Sequence, residues 1–148
     1  LDQDNDALGE AINCIRRIEN RFNSRVDYKL INESVRTMLR IRNLDVKWGQ
    51  FHFIYSMGLF DYLTTRVAQS VLEKLYTLLK PGGRMVIGNY HEKNPTKIYM
   101  DFWGDWVLYY RSEEDFINLT ANLNPCHKEI IFESANCQMF MVIEKPLN

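Results

Sequence analysis

Two apolar stretches a helix-length apart constrain this chain more than any other feature. The first, FHFIYSMGLFDY at Phe51–Tyr62, is an aromatic and aliphatic run that passes into Ser56, Met57 and Gly58. The second, LKPGGRMVIGNY at Leu79–Tyr90, opens on a Pro81-Gly82-Gly83 turn and continues as the short apolar run Arg84–Gly88. Between them Leu63, Val67, Val71, Leu75, Leu78 and Leu79 recur at helical spacing. A buried strand at Phe51–Tyr55, an elbow, an amphipathic helix, a turn and a second buried strand make a right-handed βαβ unit. Ligands of open α/β sheets sit beyond the carboxyl ends of the strands, so Ser56, Gly58 and Asn89 are expected to line one crevice.

The flanking sequence extends the alternation. Leu8, Ala11, Ile12, Ile15, Ile18 and Phe22 predict a helix over about residues 5–22 with one apolar face. Arg25–Ile31 alternates as a strand would, and Ser34 is placed to cap a short helix through Met38 and Leu39. Residues 43–50 are expected as a loop turning at Gly49. Residues 90–111, rich in aromatics and broken by Pro95 and Gly104, carry no clear period. Ser112-Glu113-Glu114-Asp115 is a capping-box sequence ahead of Phe116, Leu119 and Leu123, so a helix starts there. Lys128–Glu133 and Gln138–Glu144, around Ser134-Ala135-Asn136, predict an antiparallel hairpin. This order predicts an α/β fold whose sheet is mixed at one edge.

Composition narrows the function classes. The chain has 148 residues, 46% of them hydrophobic, and a net charge of −1, which is enough apolar content for one core and no polyelectrolyte signal. Nucleic acid is therefore not an expected partner. Arg16, Arg17, Arg21 and Arg25 cluster, but Glu10 and Glu19 interleave with them as on a solvated helix face. No segment is long and apolar enough to span a bilayer. Cys14, Cys126 and Cys137 are an odd number without metal-ligand spacing, a usage that fits a reducing cytoplasm. The first residue is Leu1 rather than Met, so the chain is expected to be processed, trimmed or a fragment.

The pattern resembles the second part of a class I S-adenosylmethionine-dependent methyltransferase, a Rossmann-like fold closed by an antiparallel hairpin. GLFDYL, PGGRMVIGNY, DWVLYYRSEEDF and CQMFMVIEKP together resemble the methyltransferase group that includes the 3-hydroxypalmitic acid methyl ester synthases. The resemblance covers most of the chain and implies a single, incomplete methyltransferase domain over 1–148. It implies methyl transfer from S-adenosylmethionine to a small-molecule acceptor, with a fatty or hydroxy acid carboxylate as one option.

Site residues follow from the same resemblance. Asp2, in LDQDNDAL, falls where the family closes its second strand with an acid that accepts both ribose hydroxyls, with Gln3 beside the adenine. Asp4 and Asp6 are read instead as charges at the start of the first helix. Asn32, Glu33 and Ser34 occupy the turn from which the family contacts adenine, and helix capping is the alternative for Ser34. Ser56, Met57 and Gly58 fall where the methionine arm and methyl group lie, although each also suits a plain strand-to-helix turn. His52 stands where the family usually has Asp, and a structural role is expected for it. Asp61 is read as the N-terminal charge of the long helix. Asn89, Trp106, Tyr110 and Arg111 are the expected acceptor contacts, with Arg111 holding a carboxylate or else pairing with Glu113 or Glu114. No catalytic residue is assigned. His91, read as an exposed loop residue, and Tyr90 are the candidates for a base.

No glycine-rich loop precedes Leu1 in this sequence, and Gly82-Gly83 enters a strand rather than leaving one. The family's strand order, 3-2-1-4-5-7-6, places its first two strands between the segments Arg25–Ile31 and Phe51–Tyr55. An upstream part of the same polypeptide is therefore expected, and this chain alone is expected to bind cofactor poorly and to be inactive. The rival readings are a catalytically inactive cofactor-binding or regulatory domain, another Rossmann-type nucleotide-binding enzyme, and an interaction module.

Overall fold

The period of Leu8, Ile12, Ile15 and Phe22 produces helix α1 (Asn5–Phe22) in a computed structural model that describes residues 1–148. It belongs to the first of two compact units, Leu1–Arg42 and Asn43–Asn148. The Asp4 carboxylate caps α1 by accepting from the backbone N–H of Asp6 at 2.8 Å and of Ala7 at 3.4 Å. Asn23, at φ 46°, ends it in the left-handed region. No residue of α1 is fully buried, and Phe22 is 66% exposed. Helix α2 (Val35–Arg40) starts where expected, with Ser34 Oγ accepting from Thr37 N–H at 3.1 Å.

The strand expected at Arg25–Ile31 does not form. Its surroundings offer one isolated parallel bridge between Asp2 and Asn32, in which Asp2 N–H reaches Ile31 O and Glu33 N–H reaches Asp2 O, both at 3.1 Å. Alternation nominates a strand, but a ladder partner is what holds one.

In Asn43–Asn148, the loop expected at 43–50 contains helix α3 (Leu44–Trp48), anchored by buried Leu44 and ended by Gly49. Five residues are too few to show a period. Four strands follow: β1 (Phe51–Ser56), β2 (Leu79–Tyr90), β3 (His127–Phe132) and β4 (Gln138–Glu144). Their order across the sheet is β1-β2-β4-β3. β1 and β2 run parallel, with Tyr55 beside Val86 and Ser56 beside Ile87. β2–β4 and β4–β3 are antiparallel, with Ile87 opposite Met141. A 3₁₀ turn (Phe60–Tyr62) and helix α4 (Thr65–Thr77) make the crossover from β1 to β2.

β2 begins before the Pro-Gly-Gly turn rather than after it. Pairing jumps from Phe51/Leu79 to Phe53/Arg84, so Lys80–Gly83 loop out of the ladder around Gly82 at φ 71°. β1 is also less buried than expected. Phe53 and Tyr55 are 54% and 68% exposed, because β1 pairs only with β2.

The core lies on β2 and β4. Met85, Ile87, Met139, Met141 and Ile143 share one face and are fully buried. Leu72 and Val71 of α4 and Phe116 of α6 (Glu113–Asn118) are equally buried. Ser112 caps α6 by accepting from Asp115 N–H at 3.1 Å. Between β2 and α6 runs a short helix, α5 (Lys97–Phe102). In the hairpin turn the Glu133 carboxylate accepts from the N–H groups of Ala135, Cys137 and Gln138. No helix is long and apolar enough to cross a membrane.

Candidate functional site

The carboxyl ends of β1 and β2 meet an elbow with open backbone. Gly58 sits at φ 70°, and a Cβ placed there would find nothing within 4 Å. A ligand can therefore approach the main chain closely at this point. Met57 is 47% exposed, and its sulfur would lie 3.1 Å from a Cβ at Gly88. The glycine on β2 thus makes room for the thioether.

Beneath the elbow lies a buried polar cluster formed by Asp61, Asn89 and Arg111. The Arg111 guanidinium donates to the carbonyls of Phe60 at 2.9 Å and Leu63 at 2.6 Å, and to the side-chain oxygen of Asn89. Asn89 Nδ2 in turn donates to the carbonyls of Tyr90 at 2.9 Å and Tyr109 at 3.0 Å. Asp61 Oδ1 accepts from Tyr90 N–H at 2.6 Å, while Oδ2 is buried without a partner. Burial pushes the Asp61 carboxyl above the usual carboxylate range, and the Tyr90 N–H and the Arg111 charge only partly oppose this. Burial likewise lowers Arg111, with the Asp61 carboxylate acting in the other direction.

Four aromatic side chains form a rim over this cluster. Trp106 Nε1–H donates to the Tyr62 hydroxyl at 2.7 Å. The Tyr90 ring meets Trp106 edge-on at 6.3 Å between centroids and lies 6.3 Å from Tyr110. The Lys97 ammonium stands 4.7 Å from the centre of the Tyr110 ring. Tyr110 donates to Asp101 Oδ1 at 3.5 Å, and burial followed by the Asp101 charge raises its hydroxyl above the ordinary tyrosine range.

These positions correct several expectations. Asn89 and Arg111 are not acceptor contacts: both are buried, and their polar atoms hold the elbow turn to the end of β2 and to residues 109–111. Arg111 pairs with neither Glu113 nor Glu114; the carbonyls of the turn satisfy it instead. His91 is buried rather than exposed. Its ring packs edge-on against Phe132 at 5.3 Å, Nδ1 accepts from Lys93 N–H at 3.3 Å, and Nε2 lies 3.5 Å from the Glu113 carboxylate. Nε2 makes no hydrogen bond there. Asp61 is not a helix-end charge but the centre of the cluster. Its signal in the sequence is an acid inside the aromatic run Phe60-Asp61-Tyr62, matched by a base inside Tyr109-Tyr110-Arg111. Charges embedded in apolar runs are buried only when paired or hydrogen-bonded. Ser56, Met57 and Gly58 follow the end of β1, and Trp106 and Tyr110 lie against Tyr90 at the end of β2, while exposed His52 lies 3.5 Å from Lys80 Nζ.

Within Leu1–Arg42, Asp2 is exposed and its Oδ1 accepts from Asp4 N–H at 3.0 Å. Asn32 Nδ2 donates to the carbonyls of Asp2 at 3.4 Å and Gln3 at 3.2 Å, a structural use of that side chain. A polar recess lined by Glu19, Asn20, Asn23, Ser24 and Arg25 marks the end of α1. There Glu19 accepts from Val26 N–H at 2.9 Å.

No family model matches the sequence, and no curated protein matches it. Solved structures match its fold. A possible exported protein from Bordetella parapertussis superposes with a TM-score of 0.61 at 13% identity, over 80% of this chain and 44% of that one. Magnesium protoporphyrin IX methyltransferase from Synechocystis PCC 6803, with bound S-adenosylhomocysteine, gives 0.58 at 8% identity, over 88% of this chain and 56% of that one. The N-methyltransferase NodS from Bradyrhizobium japonicum WM9, also with S-adenosylhomocysteine, gives 0.53 at 17% identity, over 89% of this chain and 61% of that one. The chain thus spans about half the length of the solved structures it matches. At these identities the likeness is one of fold, and the chain has the Rossmann-like α/β architecture of class I methyltransferases, ending in the expected antiparallel hairpin.

Proposed function

We propose that this chain takes part in methyl transfer from S-adenosylmethionine to a small-molecule carboxylate, such as that of a fatty or hydroxy acid. The observation that carries this reading is the open Gly58 elbow at the carboxyl end of β1, beside an aromatic rim, in a methyltransferase-like sheet. S-adenosylmethionine, when bound, supplies a methyl group already activated on a sulfonium. The protein's task is then alignment, which can remove ~7–11 kcal/mol of barrier.

The residues present fit that task. Gly58 leaves the backbone open to the methionine end of the cofactor, with Ser56 and Met57 immediately before the bend. Within Leu1–Arg42, the exposed Asp2 carboxylate suits a ribose diol, and Gln3, Glu33 and Ser34 remain the candidates for adenine contact. Trp106, Tyr90 and Tyr110 supply an apolar wall for the acceptor. Lys97, over Tyr110, takes the role first expected of Arg111 as the cation facing an acceptor carboxylate. A carboxylate is ionised at neutral pH and needs no general base, which accords with the burial of His91.

Titration of isotope-labelled chain with S-adenosylhomocysteine, followed by NMR at the backbone amides, tests the reading even if binding is weak. The expected result is a shift of Met57 and Gly58 amides that NADH does not reproduce. Unmoved amides at millimolar ligand, or an equal response to NADH, would sink the cofactor assignment and favour the other nucleotide-binding reading.

A further inference from the structure

Asp61 ties together the three segments that carry the aromatic rim, one through its buried carboxylate and one through its backbone carbonyl. Asp61 adjoins Tyr62 in the chain, and Tyr62 accepts the Trp106 indole N–H at 2.7 Å. Its Oδ1 accepts from Tyr90 N–H at 2.6 Å, and its backbone carbonyl accepts from Tyr109 N–H at 2.7 Å, next to Tyr110. It is 1% exposed, and its Oδ2 has no partner. Packing alone does not require an acid here. The Asp61 charge acts on the Arg111 guanidinium, which is itself buried against the carbonyls of Phe60 and Leu63 on either side of Asp61.

We propose that Asp61 is the positioning residue of the aromatic rim, its ionised carboxylate holding the Tyr90 backbone in the geometry that seats the Tyr90 ring against Trp106. The acceptor-facing role of the rim rests on the methyl-transfer reading; the dependence of the rim on Asp61 does not. The Tyr90 N–H bond to an ionised carboxylate is about twice as strong as one to a neutral acceptor. Protonation of Asp61 therefore weakens this bond and removes the charge facing Arg111 together. The groups around it are Arg111 and Tyr110 from residues 109–111, Tyr90 from β2, Asp101 beside Tyr110, and Asp115 of α6, which acts on Arg111. His91 and Glu113 form a separate contact at the same end of β2.

Burial raises the Asp61 carboxyl, so its protonation falls above the usual carboxylate range. An acid with a raised folded-state value loses folding stability as pH rises from the ordinary carboxylate range to that value, not as pH falls. Loss of rim order on acidification is thereby distinguishable from acid unfolding.

The test uses the full chain with Trp48→Phe and Trp103→Phe, leaving Trp106 as the sole indole. Trp106 near-UV circular dichroism and emission are followed from neutral to acid pH, with far-UV dichroism as the fold control. The proposal expects one step in the Trp106 signal, above the ordinary carboxylate range, while far-UV dichroism holds. Asp61→Asn should show the acid-form signal at every pH, and Tyr62→Phe, at an exposed site, should lose most of the step. A flat Trp106 signal, or the same step in Asp61→Asn, would overturn the proposal. If Asp61→Asn does not fold, His91→Gln decides: the step persists under the proposal, and its loss would assign it to His91 instead. S-adenosylhomocysteine titration of the same chain separates the two readings, since a Trp106 step without ligand response leaves the positioning role standing and removes the methyl-transfer role.

Discussion

Leu1–Arg42 and Asn43–Asn148 were equally patterned in sequence, yet apart from Met38 every fully buried apolar side chain belongs to the second. Helix α1 has a full amphipathic period and sound caps, and still no residue of it is fully buried. Helix α4 has a comparable period and buries Ala68, Val71 and Leu72 completely. The difference is the partner. α4 packs on β2, a strand laddered on both sides by β1 and β4, whereas the segment after α1 has a single bridge. Period and caps decide whether a helix forms; most of its stabilisation depends on what its apolar face meets.

Substitutions can break this contrast, and the largest effect belongs to the core of the second unit. Phe116→Ala should cost about 3–5 kcal/mol by denaturant unfolding, because it leaves a cavity under a fully buried ring. Ile15→Ala on α1, at a half-buried site, should cost well under half of that. Equal losses at the two positions would show that Ile15 is as buried as Phe116. Arg111→Met should cost a similar ~3–5 kcal/mol, since it strands Asp61 and Asn89 inside the protein. A nearly neutral result would mean that water reaches the cluster.

Smaller effects sharpen the comparison. Ser112→Ala and Asp4→Ala each remove a side-chain cap, worth about 1 kcal/mol. Only the first should register in cooperative unfolding, the second appearing as fraying of α1 in helical dichroism. The smallest effect is at the hairpin turn. N–H groups of Ala135 and Cys137 hold the Glu133 carboxyl below its usual range, so its contribution is full above the ordinary carboxylate value and fades as pH falls through the lowered one. Glu133→Gln should flatten that part of the stability–pH curve, and an unchanged curve would remove the turn from the account.

The sheet and its hairpin were legible because each strand carries its own alternation and turn chemistry, as in Gln138–Glu144 after Ser134-Ala135-Asn136. The strand at Arg25–Ile31 was misread because alternation says nothing about a neighbour. The site was half legible. Ser56, Met57 and Gly58 follow from the strand end and Trp106 from aromatic density, but Arg111 and Asn89 were assigned outward because a polar side chain looks the same in sequence whether it meets ligand or protein. Asp61 was missed for the same reason: its partners come from residues 90, 109 and 111, far away in the chain.

Native-state hydrogen exchange tests the contrast most directly, since it reads the Asp61 cluster and both units in one experiment. The Tyr90 and Tyr109 amides, bonded to the Asp61 carboxylate and backbone carbonyl respectively, should exchange as slowly as those of β4, while the amides of residues 27–30 exchange near the unprotected rate. Tyr90 exchanging as fast as residues 27–30 would contradict a rim built on a buried carboxylate.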